Sequence, residues 1–327
     1  MILSGDVGGT KTHLALFEPA RDSLQLVHRR HYRSAEFSSL VEVLAALRRE
    51  LHVPITSAAF GIAGPIVDNR SKLTNLGWDV DGREVARFLD LDHVGLINDL
   101  EATAYGTLRL APEETVVLQE GSLQSERPVA VIAAGTGLGE GALVWDGVRY
   151  RAVPSEGGHT EFGPRTDVEI ELLRFLRERF GRVSYERIVS GPGLVSVYEF
   201  FRDRVHASEP AWLTEARRSG DAAAAISQAA LEGTDEVCAQ ALELFVSVYG
   251  AEAGNLALKI LATGGVFVAG GIAPKILPRL KQGPFLESFH NKGRYRSLME
   301  RLPVRIVLNE KTALLGAAHY AVIMTEL

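Results

Sequence analysis

Cysteine is almost missing from this chain: Cys238 is the only one in 327 residues. No disulfide can close within the chain, and no cysteine-based zinc cluster can form. Cys238 lies in an apolar helical stretch and reads as a buried, inert thiol, not a nucleophile. A basic surplus is missing too. The 35 Lys and Arg are outnumbered by 41 Asp and Glu, for a net charge of −6. That balance argues against a nucleic acid or an anionic membrane as partner. There is no long hydrophobic run either: the most apolar stretch, Ile260 to Ala273, is broken by glycines and falls short of a bilayer span. The opening M-I-L-S-G-D has no basic segment leading into an apolar one, so no secretory signal is expected and a cytoplasmic location is. Neither the G-x-x-x-x-G-K-[ST] spacing of a P-loop nor the H-E-x-x-H of a zinc protease occurs.

Glycine, by contrast, is abundant at 32 residues, and much of it sits in turns after short apolar strands. The length makes two domains the default expectation. Ile2 to Gly5 reads as a strand, D-V-G-G-T (6–10) as a turn and Thr12 to Phe17 as a second strand. Together these make a β-hairpin. Outward-facing amides and the Thr10 hydroxyl would suit a phosphate, although a plain hairpin turn has the same sequence signature. Asp6 favours the phosphate reading, because a carboxylate beside phosphates can hold magnesium or its waters. After A-P-E-E (111–114) the pattern restarts: Val129 to Ala133, the glycine turn A-G-T-G-L-G (134–139), then Ala142 to Trp145. This weak internal symmetry predicts two related α/β domains, 1–110 with about 311–327 and 111–310, each offering a hairpin turn to a shared cleft.

Between the hairpins, apolar residues at helical spacing predict a helix over 38–51, and Ser57 to Ile62 a strand. Asn75 in L-T-N-L-G-W (73–78) reads as a turn former with substrate contact as the alternative. Asp81 with Glu84 marks a helix start. Val94 to Ile97 then reads as a buried strand, running into Asn98-Asp99 and a helix from Leu100. A carboxylate at the carboxyl end of a parallel strand stands where open α/β sheets place their chemistry, which makes Asp99 the candidate general base.

In the second half, Glu156 and His159 flank the Gly-Gly of P-S-E-G-G-H-T-E-F (154–162), an arrangement suited to a hydroxyl-rich ligand because it offers acceptors and a donor. A metal there would lack further ligands. Thr166 to Phe180 and Val237 to Ala262 read as helices, the second buried. Glu186 precedes the Gly191-Pro192 helix start and by itself reads as a solvated charge. Residues 202–233 read as Ala- and charge-rich helix without chemistry. Val266 to Ala269 enters Gly270-Gly271, where a flat ligand such as a nucleotide base would lie against bare backbone. Val304 to Leu308 is the last strand, and Lys311 to Thr325 a closing helix returning to the first domain.

Seven motifs in order make the chain resemble the bacterial ATP-dependent glucokinases, a family within the hexokinase, actin and heat-shock ATPase superfamily. They are G-D-V-G-G-T (5–10), L-T-N-L-G-W (73–78), I-N-D-L-E-A (97–102), A-G-T-G-L-G (134–139), E-G-G-H (156–159), E-R-I-V-S-G-P-G (186–193) and A-G-G-I (269–272). The resemblance implies two ribonuclease-H-like domains with mixed sheets flanked by helices and a deep cleft between them. It implies Asp99 as catalytic base, with Asn98, Asp99, Glu156, His159 and Glu186 binding the sugar. Asp6, Gly8, Gly9 and Thr10 would form the first phosphate turn and Gly135, Thr136 and Gly137 the second, with Gly270 and Gly271 near adenosine. ATP and Mg2+ would be the cofactors, Asp6 reaching the metal through water. Glucose would be the substrate, in glycolysis, and the chain a cytoplasmic homodimer. The related repressor-like sugar kinases carry a zinc-binding cysteine cluster, which one Cys cannot supply, and no helix-turn-helix is expected ahead of the strand at Ile2. Lys11, where some glucokinases carry Asn, resembles that group. A kinase for another hexose or an N-acetylhexosamine, or a sugar-binding regulator without catalysis, are the competing readings.

Overall fold

The computed structural model describes residues 1–20, 23–73, 75–122 and 124–325. Thr74 of the L-T-N-L-G-W motif, and Glu326 and Leu327 at the end of the expected first domain, lie outside that set. The chain divides into two compact units. The first is Met1–Glu114, Ala152–Pro154 and Asn309–Leu327; the second is Thr115–Arg151 and Ser155–Leu308.

The first unit opens with β1 (Ile2–Val7) and β2 (Lys11–Pro19), an antiparallel hairpin in register from Ile2 opposite Phe17 to Val7 opposite Thr12. There follow β3 (Leu24–Arg33), α1 (Leu40–Glu50), β4 (Ser57–Ile62), the ribbon β5 (Arg70–Leu73) and β6 (Trp78–Asp81), α2 (Gly82–Leu89), β7 (Gly95–Asn98) and α3 (Asp99–Thr107). The main sheet runs β3-β2-β1-β4-β7, with β1, β4 and β7 parallel. Period-two alternation along β1 sends Leu3 and Val7 to a core shared with Val43, Leu44 and Leu47 of α1. Helix α1 buries the Leu40, Val43, Leu44 and Leu47 face that its spacing predicts, and Ser39 caps it by accepting the Glu42 N–H.

The second unit repeats this plan. Strands β8 (Thr115–Gln119), β9 (Val129–Ala134), β10 (Leu138–Trp145) and β11 (Tyr150–Val153) are followed by α4 (Asp167–Phe180), α5 (Gly191–Arg204), α6 (Ala211–Ser219), α7 (Ala222–Glu232) and α8 (Glu236–Ile260). Strand β12 (Gly265–Ala269), short helices α9 (Leu277–Leu280), α10 (Pro284–His290) and α11 (Arg296–Met299), and β13 (Val304–Val307) complete it. The sheet order is β11-β10-β9-β12-β13-β8. As in the first unit, an antiparallel hairpin (β9 with β10) is continued by two parallel strands, β12 and β13. The internal symmetry of the sequence is therefore a symmetry of topology. Helix α8 threads the core, and Cys238 within it is fully buried, its thiol pushed up to about 12 by burial, as expected of an inert group.

The chain then returns to the first unit as α12 (Thr312–Thr325). Leu314, Leu315, Ala318 and Ala321 cover the sheet face formed by Ile2, Ala15, Phe17 and Ala59. Helices α3 and α12 meet backbone to backbone. A Cβ at Gly316 would strike the Ala102 carbonyl oxygen, and one at Gly106 the Thr312 carbonyl oxygen. Helix propensity alone would make Gly316→Ala stabilising by about 1 kcal/mol. The collision reverses the sign, and urea unfolding is expected to show a loss of about 1–3 kcal/mol; a gain would mean that α12 sits farther from α3.

Candidate active site

In the first unit the parallel strands β1, β4 and β7 end side by side, with Asp6 opposite Gly61 and Ile62 opposite Asn98. The next residue, Asp99, is the first of α3. Asn98 is that helix's N-cap. Its Oδ1 accepts the Leu100 N–H at 2.9 Å, its Nδ2 donates to the Gly64 carbonyl at 3.1 Å, and its own N–H donates to Glu101 at 2.9 Å. Both halves of a capping box are thus present here, whereas Asp81 caps α2 by accepting the Arg83 N–H. The Asp99 Oδ1 also accepts the Leu100 N–H, at 2.9 Å. Close packing fixes where α3 begins, since a Cβ on Gly61 would lie 2.9 Å from the Ala102 Cβ and 3.5 Å from the Asp99 Cα.

Asp6 and Asp99 are brought near enough to feel one another. Burial first, and the Asp99 charge second, push the Asp6 carboxyl up to about 6. The first glycine turn follows Asp6. The Gly8 N–H closes it on the Lys11 carbonyl at 3.0 Å, and Ser34 braces it from behind, its Oγ donating to the Gly8 carbonyl at 2.8 Å. Ser34 is fully buried and was not a candidate from sequence. A lone Ser 26 residues from the turn gives no local signal. Asn75 is exposed in its own turn, beside Gly9.

In the second unit the corresponding turn is closed by the Gly135 N–H on the Gly137 carbonyl at 2.8 Å. None of Gly8, Gly9, Gly135 and Gly137 has a positive φ. At Gly137 the need is space: a Cβ would stand 2.5 Å from the Glu186 Oε2. Glu186 is anchored there, accepting the Leu138 N–H at 3.0 Å, and its side chain is 29% exposed, so it is not the solvated charge that its position alone suggests. His159 Nδ1 lies 3.8 Å from the other Glu186 oxygen, and His159 Nε2 lies 4.0 Å from Glu156 Oε2. Glu156, His159 and Glu186 therefore converge, as a hydroxyl-binding set requires. Gly157 and Gly158 lie flat on β10. A Cβ on Gly157 would strike the Glu140 carboxyl, and one on Gly158 the Leu138 carbonyl oxygen. Glu161 turns away to pair with Arg182, 2.9 Å distant.

Behind the turn is a cavity of about 1220 Å³, bounded by Gly135, Thr136, Gly191, Ser227, Gly271 and Lys275 among others. Gly270, with φ +84°, leans so closely on β9 that a Cβ would strike the Ala134 carbonyl oxygen, while Gly271 has open space where its side chain would be. The Gly191 N–H, at the start of α5, donates to the Gly135 carbonyl at 2.8 Å, so a helix N-terminus and the glycine turn are tied together. The 202–233 region, which reads as without chemistry, walls this cavity through α7. The signal lay in its small side chains, Ala223, Ala224 and Ser227, which leave room.

A duplicated mixed sheet, with a glycine turn inside the first hairpin of each copy, places the chain among the two-unit α/β sugar kinases. A structure of glucokinase from an Antarctic psychrotroph superposes with a TM-score of 0.86 at 31% identity, over 98% of both chains. A ROK family glucokinase from Streptomyces griseus, solved with glucose and AMPPNP, shares the fold with a TM-score of 0.65 at 21% identity, over 98% of this chain and 99% of that one. In sequence, the glucokinase of Nostoc sp. is 44% identical over 97% of this chain and 98% of its own length. The glucokinase family model matches residues 3–324. The chain belongs to the glucokinase family. No described helix is long and apolar enough to cross a membrane.

The raised Asp6 carboxyl has a measurable consequence. Its ionised form costs stability, and that cost appears as pH rises from 3.8 through about 6. Asp6→Asn is therefore expected to match the parent protein near pH 4 and to exceed it by about 2–3 kcal/mol at pH 7.5, at about 1.4 kcal/mol per pH unit. Urea unfolding at the two pH values checks this; a gap that does not change with pH would remove the shift.

Proposed function

We propose that the chain is an ATP-dependent glucokinase that transfers the γ-phosphoryl group of ATP to the 6-hydroxyl of glucose, giving glucose 6-phosphate and ADP. The observation that carries this reading is the junction at Leu138. One strand end bears a phosphate-type glycine turn, and its next N–H holds Glu186, which faces His159 and Glu156. A triphosphate site and a polyhydroxyl site joined through one backbone amide suit phosphoryl transfer to a sugar.

Catalysis of such a transfer is mostly positioning and charge stabilisation. Asp99 takes the proton of the 6-hydroxyl as that oxygen bonds phosphorus. Glu156, His159 and Glu186 bind the remaining hydroxyls, and the second Nδ2 proton of Asn98 reaches one more. A pocket built to pair hydroxyls rejects sugars that leave its polar groups unmatched. Gly9 and Thr10, with Thr136 and Gly137, donate amides to the phosphates. Adenosine occupies the cavity beside Gly271.

Magnesium fits the residues present. Among the described residues no cluster of three or more His, Cys, Asp or Glu could hold a metal. The crowded Asp6–Asp99 pair has the negative charge to welcome a cation that arrives already coordinated by phosphates. Asp6 would hold it through water, and the ion would neutralise the phosphate charge. A homodimer and a cytoplasmic setting complete the proposal.

Initial rates with Mg-ATP across glucose, mannose, fructose, N-acetylglucosamine and N-acetylmannosamine test the sugar. The expected outcome is a clear glucose preference in kcat/KM, and a preference for another sugar would reassign the substrate. Asp99→Asn is expected to lower kcat by about 10²-fold or more while glucose binding is kept; near-normal turnover would take Asp99 out of the reaction.

A further inference from the structure

Beneath the turn that carries Glu156 and His159 lies a pair of carboxyl groups that the phosphoryl transfer does not use. Glu140, on β10, is 1% exposed, and Glu252, on α8, is 0% exposed. Glu252 lies near enough for its charge to raise the Glu140 carboxyl. Glu252 is held by a cation and an amide: Lys259 Nζ donates to its Oε1 at 3.1 Å and Asn255 Nδ2 to its Oε2 at 2.8 Å. Among the described residues no cation donates to Glu140, which feels Lys259 only through its charge. Its Oε1 is buried without a hydrogen-bond partner, and its carboxyl lies against Gly157, which has no side chain to hold it off. Burial, then the Glu252 charge, push the Glu140 carboxyl well above the ordinary range, so it keeps its proton at neutral pH.

The surroundings offer little to neutralise a second anion. Lys259 already pairs with Glu252. Lys292 donates to the Ala251 carbonyl at 2.8 Å and to Asn255 Oδ1 at 2.5 Å, and burial lowers it to about 8. Arg165 pairs with Glu169. Tyr185 and Tyr249 are both pushed up by burial and stay neutral. A like pair of buried carboxylates is strongly unfavourable, and a shared proton relieves it.

We propose that Glu140 and Glu252 are a proton-sharing positioning pair that seats the Gly157-Gly158 turn on β10, so that loss of the proton unseats Glu156 and His159 and weakens sugar binding. The consequence for sugar rests on the glucokinase reading; the seating of the turn does not.

Two measurements separate these. Amide exchange is followed by mass spectrometry in the sugar-free protein from about pH 6 to about pH 9.5, after correction for intrinsic chemical exchange. The His159 and Thr160 amides, which close the turn on Glu156 and Gly157, are expected to lose protection by about fivefold or more on the alkaline side while β9 stays protected. Glu140→Gln, which fixes the protonated shape, is expected to abolish that loss. Over the same range the glucose KM of the parent protein is expected to rise about fivefold with kcat within about twofold, and the KM of Glu140→Gln to stay flat. Protection of the parent protein that holds to pH 9.5, or superimposable KM profiles for parent and variant, would overturn the pair's role. The parent exchange profile decides the seating even where the variant does not fold. Absence of phosphorylation of every sugar, with the exchange result as expected, would sink the glucokinase reading and leave the pair standing.

Discussion

Between Leu138 and Glu140, strand β10 is covered by two residues without side chains, Gly157 and Gly158. Their backbone lies directly on the strand, and Gly137, one residue ahead of β10, leaves the gap that the Glu186 carboxylate fills. None of the three has a positive φ, so what matters is the missing Cβ and not the backbone conformation. The positions of Glu156, His159 and Glu186 all follow from this contact. A methyl group at any of the three glycines would have to displace either a backbone or a carboxylate. Groups that recognise a ligand must be held to about half an ångström, and contact with a strand achieves this where a free loop would not.

The first unit reaches similar rigidity by other means. Its carboxylates sit at the ends of β1 and β7, the two parallel strands that flank β4, and the start of α3 is fixed from both sides. The Asn98–Glu101 capping box holds its first turn, and the bare backbones at Gly106 and Gly316 let α12 clamp the rest. The two units share a strand order, yet one presents its chemistry from a strand-to-helix junction and the other from a turn laid on a strand. Duplicated topology thus leaves each copy free to specialise where the loops differ.

Much of the fold was legible because it is local. The α1 face, the Asp81 cap of α2, the two hairpins and the buried α8 each follow from spacing or capping within a few residues. Strand β3 was not legible: Q-L-V-H-R-R-H-Y-R carries too much charge to read as a strand, and it is tolerated because it is an exposed edge, where charge discourages further pairing. The capping box is written plainly in N-D-L-E, where it encloses the candidate base Asp99. Glu186 and Ser34 could not be read at all in isolation, since what fixes them is an amide 48 residues away and a carbonyl 26 residues away. Helix α7 is legible as a helix, but its part in the cavity wall is not, because its contribution is the space its alanines leave.

The return of α12 to the first unit bears on how the chain is made. The sheet face of Ile2, Ala15, Phe17 and Ala59 leaves the ribosome early, but its cover, Leu314 to Ala321, comes after the whole second unit. At about 5–20 residues per second that gap lasts on the order of ten seconds or more. The unit that starts first is therefore finished last. During that interval its apolar face is open to any other surface, so for the nascent chain the order of synthesis is a hazard that the finished fold no longer displays.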